Sequence, residues 1–542
     1  MDDKIPRNHI IVMIALCIAI FLVSLDTVII TTALPSIAAD FNISDSGYAW
    51  VGSAYLLTNC CGIPAWGTFS NVFGRKPVLL LANAFFLAGS IMSATSRNLG
   101  MLIAGRAIQG LGGGGIGVSV NICVSDLFAE RLRGLMLGII GGVWAISSAL
   151  GPVLGGILTQ QLNWRWCFWI NLPIDALVVL LIITCLRIHN TPTPFWNGII
   201  GIDWLGAITI AGATVMFLLG LQFGGVTYPW SSATVVCLLL FGILTFILFF
   251  VAQARVSASP IMPFHIFSNR SNLSALTVTF FDGFVFNSVA YFLPLYYQSV
   301  LDSSPTRSGV LMLPLAVPLA LFSASAGWIM QRTGRFLELL RGGLLLMTLG
   351  TGLLVDLPAH MDLARLIPFL IIIGIGFGPN FHAPLLALQK NLQEKDIAAG
   401  TATFGFIRML SGALGIALCQ VAFQSGIGDQ RKRLASLGLP DKYLDLLTSG
   451  ATISGSHNAD ATNTEALAWV RQAKTSAMSW VWVLCCVASC LGLLASLMIQ
   501  KSRLNEGRVK DEQDSVEMAH TKSSSTDENH LIGARAVASA VV

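Results

Sequence analysis

Charged residues are scarce in this chain of 542 residues, since Asp, Glu, Lys and Arg together make up 11% of it. A soluble domain carries about 25% charged residues, so the chain lacks the charge that would solvate a set of water-soluble domains. The net charge is only +4, and the scattered basic residues exclude a typical nucleic-acid-binding protein. Apolar residues reach 54%, and the mean hydropathy is +0.72. These values predict a membrane protein with many spans in the lipid bilayer.

Signatures of several other protein classes are missing as well. No GxxxxGK[ST] phosphate loop occurs, which argues against a pump that hydrolyses ATP. The eleven cysteines include no CxxC pair and no Cys/His cluster with zinc-ligand spacing, so we predict no metal site and no cofactor. No nucleophile–base pair or metal constellation recurs at one bilayer depth, and we therefore do not expect an enzyme.

Apolar runs long enough to cross a bilayer as helices, roughly 17–25 residues, occur fourteen times along the chain. They are 10–34, 50–69, 78–94, 102–124, 135–158, 167–186, 204–221, 233–251, 273–297, 311–330, 342–357, 366–388, 401–423 and 480–499. This pattern predicts an all-α polytopic membrane protein. Twelve Lys and Arg residues fall in the short loops on one side of the spans and four in those on the other. Because these residues favour the cytoplasmic side, we expect both chain ends in the cytoplasm.

The spans and polar segments divide the chain into five predicted regions. These are a cytoplasmic N-terminus (1–9), a six-helix bundle (10–190), two inserted transmembrane helices with flanking loops (191–265), a second six-helix bundle (266–500) and a disordered cytoplasmic tail (501–542). The second bundle is expected to contain a long outer loop at 424–479. Asn42 begins an Asn-Ile-Ser sequon in an outer loop and is a candidate glycosylation site.

Two loops at corresponding positions of the two bundles share a sequence pattern. They are Gly67-Thr-Phe-Ser-Asn71-Val-Phe-Gly74-Arg75-Lys76 and Gly327-Trp-Ile-Met-Gln331-Arg-Thr-Gly334-Arg335. Gly, an amide residue, Gly and Arg recur at the same offsets, each time after the second span of a bundle. The pattern indicates two related halves, and a duplicated bundle suits a carrier in which one half rocks against the other around a central site.

Over about 10–499 the chain resembles the major facilitator superfamily, in particular its fourteen-span drug:proton antiporter branch. Four motifs carry the likeness, in the first helix, the loop after the second helix, the fourth helix and the fifth helix. They are Leu25-Asp26-Thr-Val-Ile-Ile-Thr-Thr-Ala-Leu34-Pro35, Gly67 to Lys76, Arg106-Ala-Ile-Gln109-Gly110-Leu-Gly112, and Gly142 through Gly151-Pro152-Val-Leu-Gly155-Gly156. Two further strings look like fungal members, which often export toxins, secondary metabolites or fungicides. They are Trp164-Arg165-Trp166 with Ile170-Asn171-Leu172-Pro173, and Gly224-Gly225-Val-Thr-Tyr228-Pro229-Trp230. The resemblance implies the major facilitator fold, two six-helix bundles plus two inserted helices.

Several motif residues are predicted to control conformation. Glycines allow close helix approach, and a proline removes one backbone donor and bends its helix. The group consists of Gly67, Asn71, Gly74, Arg75, Lys76, Gly110, Gly151, Pro152, Gly155, Gly156, Gly327, Gly334 and Arg335. The resemblance links the Gly-Pro bend to export direction, with plain helix packing as the alternative. The family usually has Asp at the position of Asn71, where the carboxylate helps to latch the two halves in the outward-facing state, so an uncharged amide predicts a weaker latch.

Ionisable side chains inside spans are candidates for function, because burying them in a membrane is expensive. Asp26 lies about 24 Å along the first span at 1.5 Å per residue, and Arg106 falls at a compatible depth in the fourth. The resemblance places these helices in the same half, so we interpret Asp26 as a proton site controlled by Arg106. A permanent pair that only joins two helices is the alternative. Asp175 is a further proton-coupling candidate, and Asp282 is a candidate for proton coupling or substrate recognition. For both, a water-facing or hydrogen-bonded carboxyl without a transport role is the alternative.

A further group is predicted to line a substrate cavity. It combines aromatic side chains, which suit flat lipophilic or cationic compounds, with polar side chains inside the spans. Its members are Tyr55, Gln109, Trp144, Phe281, Phe286, Tyr291, Asn380 and Arg408. Arg408 could instead form an ion pair between the halves, and most of the aromatic residues could instead face lipid. His382, beside Asn380, is a weaker candidate that could simply complete a hydrogen-bond network.

The leading functional hypothesis is secondary active export of small, mostly lipophilic organic compounds, driven by inward proton flow. A carrier of the same fold for basic amino acids into a vacuole, or for siderophores, is the second, because intramembrane carboxylates serve either cargo. A non-transporting membrane sensor is the third. We expect a monomer in the plasma membrane, with the vacuolar membrane as the alternative. Its expected partners are a small-molecule substrate, protons and the lipid bilayer, and no nucleic acid.

Overall fold

The computed structural model describes residues 6–41, 45–187, 194–225, 228–257, 259–437, 439–448 and 464–500. Within these ranges the chain is helical, apart from loops and an isolated bridge between Gly224 and Tyr228. The helices are α1 (Arg7–Phe41), α2 (Asp45–Phe73), α3 (Arg75–Ala94), α4 (Leu99–Leu127), α5 (Glu130–Gln161), α6 (Trp166–Trp169), α7 (Asn171–Cys185), α8 (Phe195–Gly201), α9 (Trp204–Phe223), α10 (Ala233–Arg255), α11 (His265–Ser268), α12 (Arg270–Ser299), α13 (Pro305–Leu311), α14 (Leu313–Thr333), α15 (Leu337–Leu353), α16 (Leu363–Asn380), α17 (Ala383–Lys390), α18 (Ile397–Ser436), α19 (Asp441–Thr448) and α20 (Thr464–Ser496). The all-α prediction is confirmed.

In the part of the chain that the structure describes, thirteen helical segments are long and apolar enough to cross a membrane. The remaining predicted span, 50–69, lies within α2, whose 29 residues extend about 44 Å. This helix carries polar side chains such as Asn59 and Ser70, both buried against other helices. These side chains lower its apolar content, although its length suffices to cross a bilayer.

The predicted span 366–388 is interrupted in the structure. Helix α16 ends at Asn380, and α17 begins at Ala383 with Pro384 in its first turn. A proline lacks the N–H that would continue the ladder of helical hydrogen bonds. The break frees the Phe381 carbonyl, which accepts a hydrogen bond of 2.6 Å from Arg408 Nη1. Irregular backbone is tolerated inside a membrane when such partners satisfy it.

The described residues of the predicted outer loop 424–479 are largely helical. Helix α18 continues to Ser436, α19 covers Asp441–Thr448, and α20 already begins at Thr464. The three helices share a small apolar core of their own. It contains Ile427, Leu434, Tyr443, Leu444, Leu447, Ala466, Val470, Ala473 and Ala477. Through this core the described residues of the segment bury apolar side chains against one another.

The helices pack as two groups with the two inserted helices beside them. In the first group, α2 and α3 pack on α4, and α1 packs on α5 and α7. In the second group, α14 and α15 pack on α16, and α12 packs on α18 and α20. Helices α9 and α10 pack on each other, and α9 also contacts α2 and α18. The groups meet along α5–α14 and α2–α18, so a site between them lies beside these two helix pairs.

The α5–α14 contact is close because small residues line it. A Cβ atom added at Gly138 would lie 2.5 Å from the Ser323 carbonyl oxygen, and Ser323 Oγ donates a 3.0 Å hydrogen bond to the Gly138 carbonyl. One turn away, a Cβ at Gly327 would lie 2.5 Å from the Gly134 carbonyl oxygen. The two groups of helices thus touch backbone to backbone, as small residues in membrane helices permit.

Several predicted features lie wholly or partly outside the described residues. They are the sequon residue Asn42, the tail 501–542, residues 1–5 of the predicted N-terminus and residues 449–463 of the predicted outer loop.

Candidate functional site

A buried polar cluster surrounds Asp26 on α1. Arg106 Nη1 lies 2.5 Å from Asp26 Oδ2, while Oδ1 accepts hydrogen bonds from Gln109 Nε2 at 2.7 Å and Asn171 Nδ2 at 3.1 Å. Both amides also donate to Ser90 Oγ, at 2.8 and 3.3 Å. All five side chains are buried. We call these residues the Asp26 cluster; they join α1, α3, α4 and α7.

Aromatic rings and a backbone carbonyl complete the surroundings of Arg106. Its guanidinium carbon lies 4.4 Å from the centroid of the Tyr55 ring and 5.7 Å from that of Phe168. Its Nε donates to the Val51 carbonyl at 3.3 Å, and the Tyr55 hydroxyl donates to the Val23 carbonyl at 3.3 Å. Since a guanidinium in a membrane needs such partners, Tyr55 contacts the ion pair instead of lining an open cavity.

The Asp26 cluster contains both predicted and unpredicted residues. Depth along the helices placed Asp26 and Arg106 together, and the structure brings them together. Gln109, predicted to line a substrate cavity, belongs to this cluster, and its i+3 spacing from Arg106 is a signal in the sequence that could have indicated the contact. Sequence reasoning missed Asn171 and Ser90 as site residues, because short polar side chains inside spans are common and do not indicate their partners.

A second polar group lies where α12, α18 and the break after α16 meet. Besides its bond to the Phe381 carbonyl, Arg408 holds its guanidinium carbon 3.6 Å from the Phe381 ring centroid. Arg408 Nη2 lies 3.7 Å from Asp282 Oδ2, which is too long for a hydrogen bond. Among the described residues, Arg408 Nη2, Asp282 Oδ1 and both ring nitrogens of His382 have no hydrogen-bond partner. We call Asp282, Arg408, Phe381 and His382 the central cluster.

Aromatic rings from both groups of helices pack beside the central cluster. Trp144 on α5 lies with its ring centroid 5.1 Å from that of Phe286 on α12 and 5.3 Å from that of Phe381. Phe286 also packs on Phe377, at 5.1 Å. We call these four residues the aromatic wall. Trp144 is its member from the first group of helices, so any separation of the two groups opens the wall at this residue.

Other predicted cavity residues lie elsewhere. Phe281 faces Gly492 on α20, and Asn380 faces Gly343 on α15, so both side chains point into the second group of helices. Tyr291 on α12 is 50% exposed, and its ring packs on that of Phe292, at 5.1 Å between centroids. Asp175 is fully buried on α7, and neither carboxyl oxygen has a hydrogen-bond partner among the described residues.

The loop between α2 and α3 carries a charged contact that sequence reasoning missed. Arg75 Nε lies 2.6 Å from Asp126 Oδ2 on α4, while Arg75 Nη1 donates to Asn71 Oδ1 at 2.9 Å and to the Ser70 carbonyl at 2.7 Å. Lys76 Nζ donates to the Ile183 carbonyl at 2.7 Å. The negative charge absent from position 71 is thus supplied to Arg75 by Asp126.

The glycines predicted to control conformation fall into two kinds. Gly74 and Gly334 have φ values of 95° and 68°, in the left-handed region that favours glycine, and the exposed Arg335 follows the second of them. Other glycines lie where two helices touch. Gly67 of α2 contacts α18, Gly110 of α4 contacts α2, and Gly151 and Gly155 of α5 contact α1. A Cβ atom added at Gly156 would lie 3.6 Å from Thr306 Oγ1, which is ordinary contact. Pro152 of α5 lies beside Gly309, where an added Cβ would come within 3.1 Å of the Pro152 Cβ.

The two groups of helices also bond to each other near this loop. Gln389 Nε2 on α17 donates to Ser125 Oγ on α4 at 2.8 Å. Burial raises the pKa of the Glu130 carboxyl, at the start of α5, while the positive charges of Lys390 and Arg133 oppose this rise. Lys390 ends α17, so this electrostatic interaction also crosses between the groups.

Replacing Asp126 by Asn should slow transport. The change leaves Arg75 without a carboxylate, and an ion pair near the surface contributes up to about 1 kcal/mol, so we expect a loss of up to about fivefold in initial rate. Adding Asn71→Asp to the same chain should restore most of the rate, because it returns a carboxylate to Arg75. Asp356→Asn, which alters a 91% exposed carboxylate, is the matched control. Failure of the second substitution to restore the rate would contradict this account.

The sequence matches one known protein family over most of its length. The family model described as Major Facilitator Superfamily matches residues 16–201 and 200–416. The chain belongs to the major facilitator superfamily. It is therefore a multi-span membrane transporter, of a family that binds small-molecule substrates.

Similar proteins of this superfamily occur in several fungi. The efflux pump dotC of Dothistroma septosporum is 45% identical over 93% of this chain and 86% of its own length. The MFS-type transporter ppz2 of Metarhizium majus is 45% identical over 83% of this chain and 77% of its own. The efflux pump FUS6 of Gibberella fujikuroi is 35% identical over 80% and 79%, respectively.

Solved structures share the fold at low sequence identity. The human organic anion transporter MFSD10 matches with a TM-score of 0.59 and 16% identity, covering 91% of this chain and all of that one. The proton:xylose symporter XylE matches with a TM-score of 0.54 and 15% identity, covering 91% and 96%. At such identities the likeness concerns the fold alone, since one fold hosts many functions.

Proposed function

We propose that this transporter exports small lipophilic organic compounds, among them secondary metabolites, in exchange for protons. The similar fungal proteins named efflux pumps support the direction of transport, and a relative named as the transporter of the acurin A biosynthesis cluster supports a secondary metabolite as cargo. The observation that carries the proton coupling is the Asp26 carboxylate, which is fully buried and yet is held by a guanidinium and two amides.

Asp26 and Arg106 form the proton switch in this proposal. The ionised carboxylate is stabilised by the ion pair and by the amides of Gln109 and Asn171. A proton binding to Asp26 removes its charge and with it the attraction to Arg106. Arg106 then keeps its remaining partners, which are Gln109 Oε1, the Val51 carbonyl and the rings of Tyr55 and Phe168. The packing of α1 on α4 then differs between the two protonation states, and this difference biases the position of one group of helices against the other.

The central cluster and the aromatic wall form the cargo site in this proposal. They lie between the two groups of helices, and their unpaired polar atoms are available to a ligand. Alternating access is a rocking of the groups along α5–α14 and α2–α18 around this site. The transporter acts as a monomer in the plasma membrane, with the loop at Arg75 and both chain ends in the cytoplasm.

Asp175 serves as a second protonatable group in this scheme. It follows Asn171 by one helical turn, or about 6 Å along α7. Its carboxyl is buried and has no hydrogen-bond partner among the described residues, so a bound proton neutralises a charge that nothing here compensates. We expect Asp175→Asn to slow proton-driven export several-fold while leaving the thermal unfolding temperature unchanged, because the amide replaces a neutral acid of the same shape. Unchanged export with unchanged stability would assign Asp175 a purely structural role.

Accumulation measurements test the proposed function. Cells without their own pumps, with and without this protein, are loaded with lipophilic cations, neutral aromatic compounds or basic amino acids, and then treated with a protonophore. The expected result is lower accumulation of lipophilic compounds that the protonophore abolishes. Accumulation of basic amino acids in vacuoles would support the second hypothesis, and protonophore-insensitive export would contradict coupling to protons.

A further inference from the structure

We propose that the central cluster binds flat aromatic compounds that carry a hydroxyl group beside a carbonyl oxygen. This inference rests on the proposed function and names the chemical class of its cargo. It depends on three features of the described residues: a donor without an acceptor, an acceptor without a donor, and a stack of aromatic rings next to both.

The donor and the acceptor belong to Arg408 and Asp282. Arg408 Nη2 and Asp282 Oδ1 make no hydrogen bond among the described residues, although their side chains are only 10% and 3% exposed. An unpaired buried polar atom is unfavourable, so a ligand that pairs both atoms gains binding free energy. The two side chains approach to 3.7 Å, so the ligand must present an acceptor and a donor close together.

A hydroxyl beside a carbonyl meets this requirement. In the free ligand the hydroxyl donates to its neighbouring carbonyl oxygen, and this internal hydrogen bond breaks in the site. There the carbonyl oxygen accepts from Arg408 Nη2 and the hydroxyl donates to Asp282 Oδ1, because hydrogen bonds to charged groups are about twice as strong as neutral ones. A permanent cation fits less well, because the guanidinium repels it and already lies 3.7 Å from the one carboxylate of the cluster. A plain hydrocarbon leaves both polar atoms unpaired. The His382 ring lies beside Gly141 on α5, where an added Cβ would be 3.2 Å from His382 Cδ2. Its two ring nitrogens have no hydrogen-bond partner among the described residues and can bond to substituents of the ligand.

The aromatic wall sets the shape of the ligand. Trp144 contacts the Phe286 and Phe381 rings, at 5.1 and 5.3 Å between centroids, within the 4.5–7 Å range of favourable ring pairs. Trp144 moves with α5, whereas both phenylalanines belong to the second group of helices. When the groups separate, Phe286 and Phe381 lose a flat partner, and a fused aromatic ring of similar size replaces the indole.

Binding to the full-length protein in lipid nanodiscs tests this inference. The probes are 1-hydroxy-2-acetonaphthone, 2-acetonaphthone, which lacks the hydroxyl, and tetraphenylphosphonium, a permanent cation. We expect the hydroxy ketone to bind about tenfold or more tightly than the plain ketone, because a site built for a hydroxyl penalises its absence. Equal affinities for the two ketones, or tightest binding of the phosphonium, would overturn the inference.

Variants locate the binding site. Asp282→Ala removes the acceptor of the hydroxyl but leaves the Arg408–Phe381 bond, so it should abolish the preference between the two ketones. Arg408→Gln should weaken both ketones, and a thermal unfolding measurement shows whether that variant folds without its support for the Phe381 carbonyl. Asp356→Asn, at an exposed carboxylate, should keep the preference. A preference that survives Asp282→Ala would place the hydroxyl elsewhere and overturn the assignment.

Transport by the same protein in proteoliposomes separates this inference from the proposed function. Proton-driven transport of the phosphonium without any preference for the hydroxy ketone would retain proton-coupled export and overturn the cargo class. Preferential binding of the hydroxy ketone without proton-driven transport of any probe would retain the cargo class and overturn proton-coupled export.

Discussion

An Asp26→Asn chain should lose proton-driven export completely, down to the level of cells without the protein. The amide cannot take up and release a proton, and it no longer attracts the Arg106 guanidinium, which the carboxylate approaches to 2.5 Å. Breaking a buried ion pair by removing one partner also costs about 3–5 kcal/mol of stability. Export of a substrate identified in the accumulation assay, with and without a protonophore, measures the first effect, and thermal unfolding in detergent measures the second.

A double variant separates lost coupling from lost folding. Asp26→Asn with Arg106→Gln removes both charges, so no unpaired charge remains buried, and we expect it to recover most of the lost stability. Export should remain absent, because no proton site is restored. If the double variant exports its substrate in a protonophore-sensitive manner, the pair only joins α1 to α4, and the proton site lies elsewhere.

Gly138→Ala should slow export about tenfold. The new methyl group would lie 2.5 Å from the Ser323 carbonyl oxygen and 3.2 Å from Gly327 Cα, so α5 and α14 must move apart. Overpacking costs about 1–3 kcal/mol, and 1.4 kcal/mol corresponds to a factor of ten in population. This penalty falls on the arrangement in which α5 and α14 touch, which the transport cycle must revisit. The initial rate of export at saturating substrate measures the effect.

Gly117→Ala is the matched control for this variant. Gly117 lies within α4, and no heavy atom comes within 4 Å of an added Cβ there. Both substitutions exchange Gly for Ala inside a helix, so they alter helix propensity by the same amount, roughly 1 kcal/mol in favour of Ala. Equal export by the two variants would show that close α5–α14 contact is not needed in the cycle.

The sequence predicts the Asp26 cluster better than it predicts the central cluster. Asp26 and Arg106 could be paired from sequence, because depth in a membrane follows from residue count along a helix and ionisable residues there are few. Asn171 could not be assigned to this cluster from sequence. The neighbouring residues do not distinguish an amide that donates to Asp26 from one that bonds within its own helix. Likewise Asp126, the ionic partner of Arg75, lies 51 positions further along the chain, and only the packing of α3 on α4 makes it a neighbour.

The central cluster shows the same limit. Arg408 and Asp282 were recognisable as intramembrane charges, but Phe381 was hidden inside a run that resembled one continuous helix. The break at Phe381, and the carbonyl that it frees for Arg408, depend on where two helices meet.

The sequence by itself determined that the chain is a helical membrane protein with two related halves, because bilayer thickness imposes a length on each apolar run and this requirement is local. It also identified the ionisable side chains inside the spans, which are too costly to bury in a membrane without a function or a partner. Only the tertiary structure decided which of them meet, which polar atoms remain unpaired, and which rings form the wall between the halves. These depend on helix rotation and contact between distant segments, which are set by the packing of all the helices together.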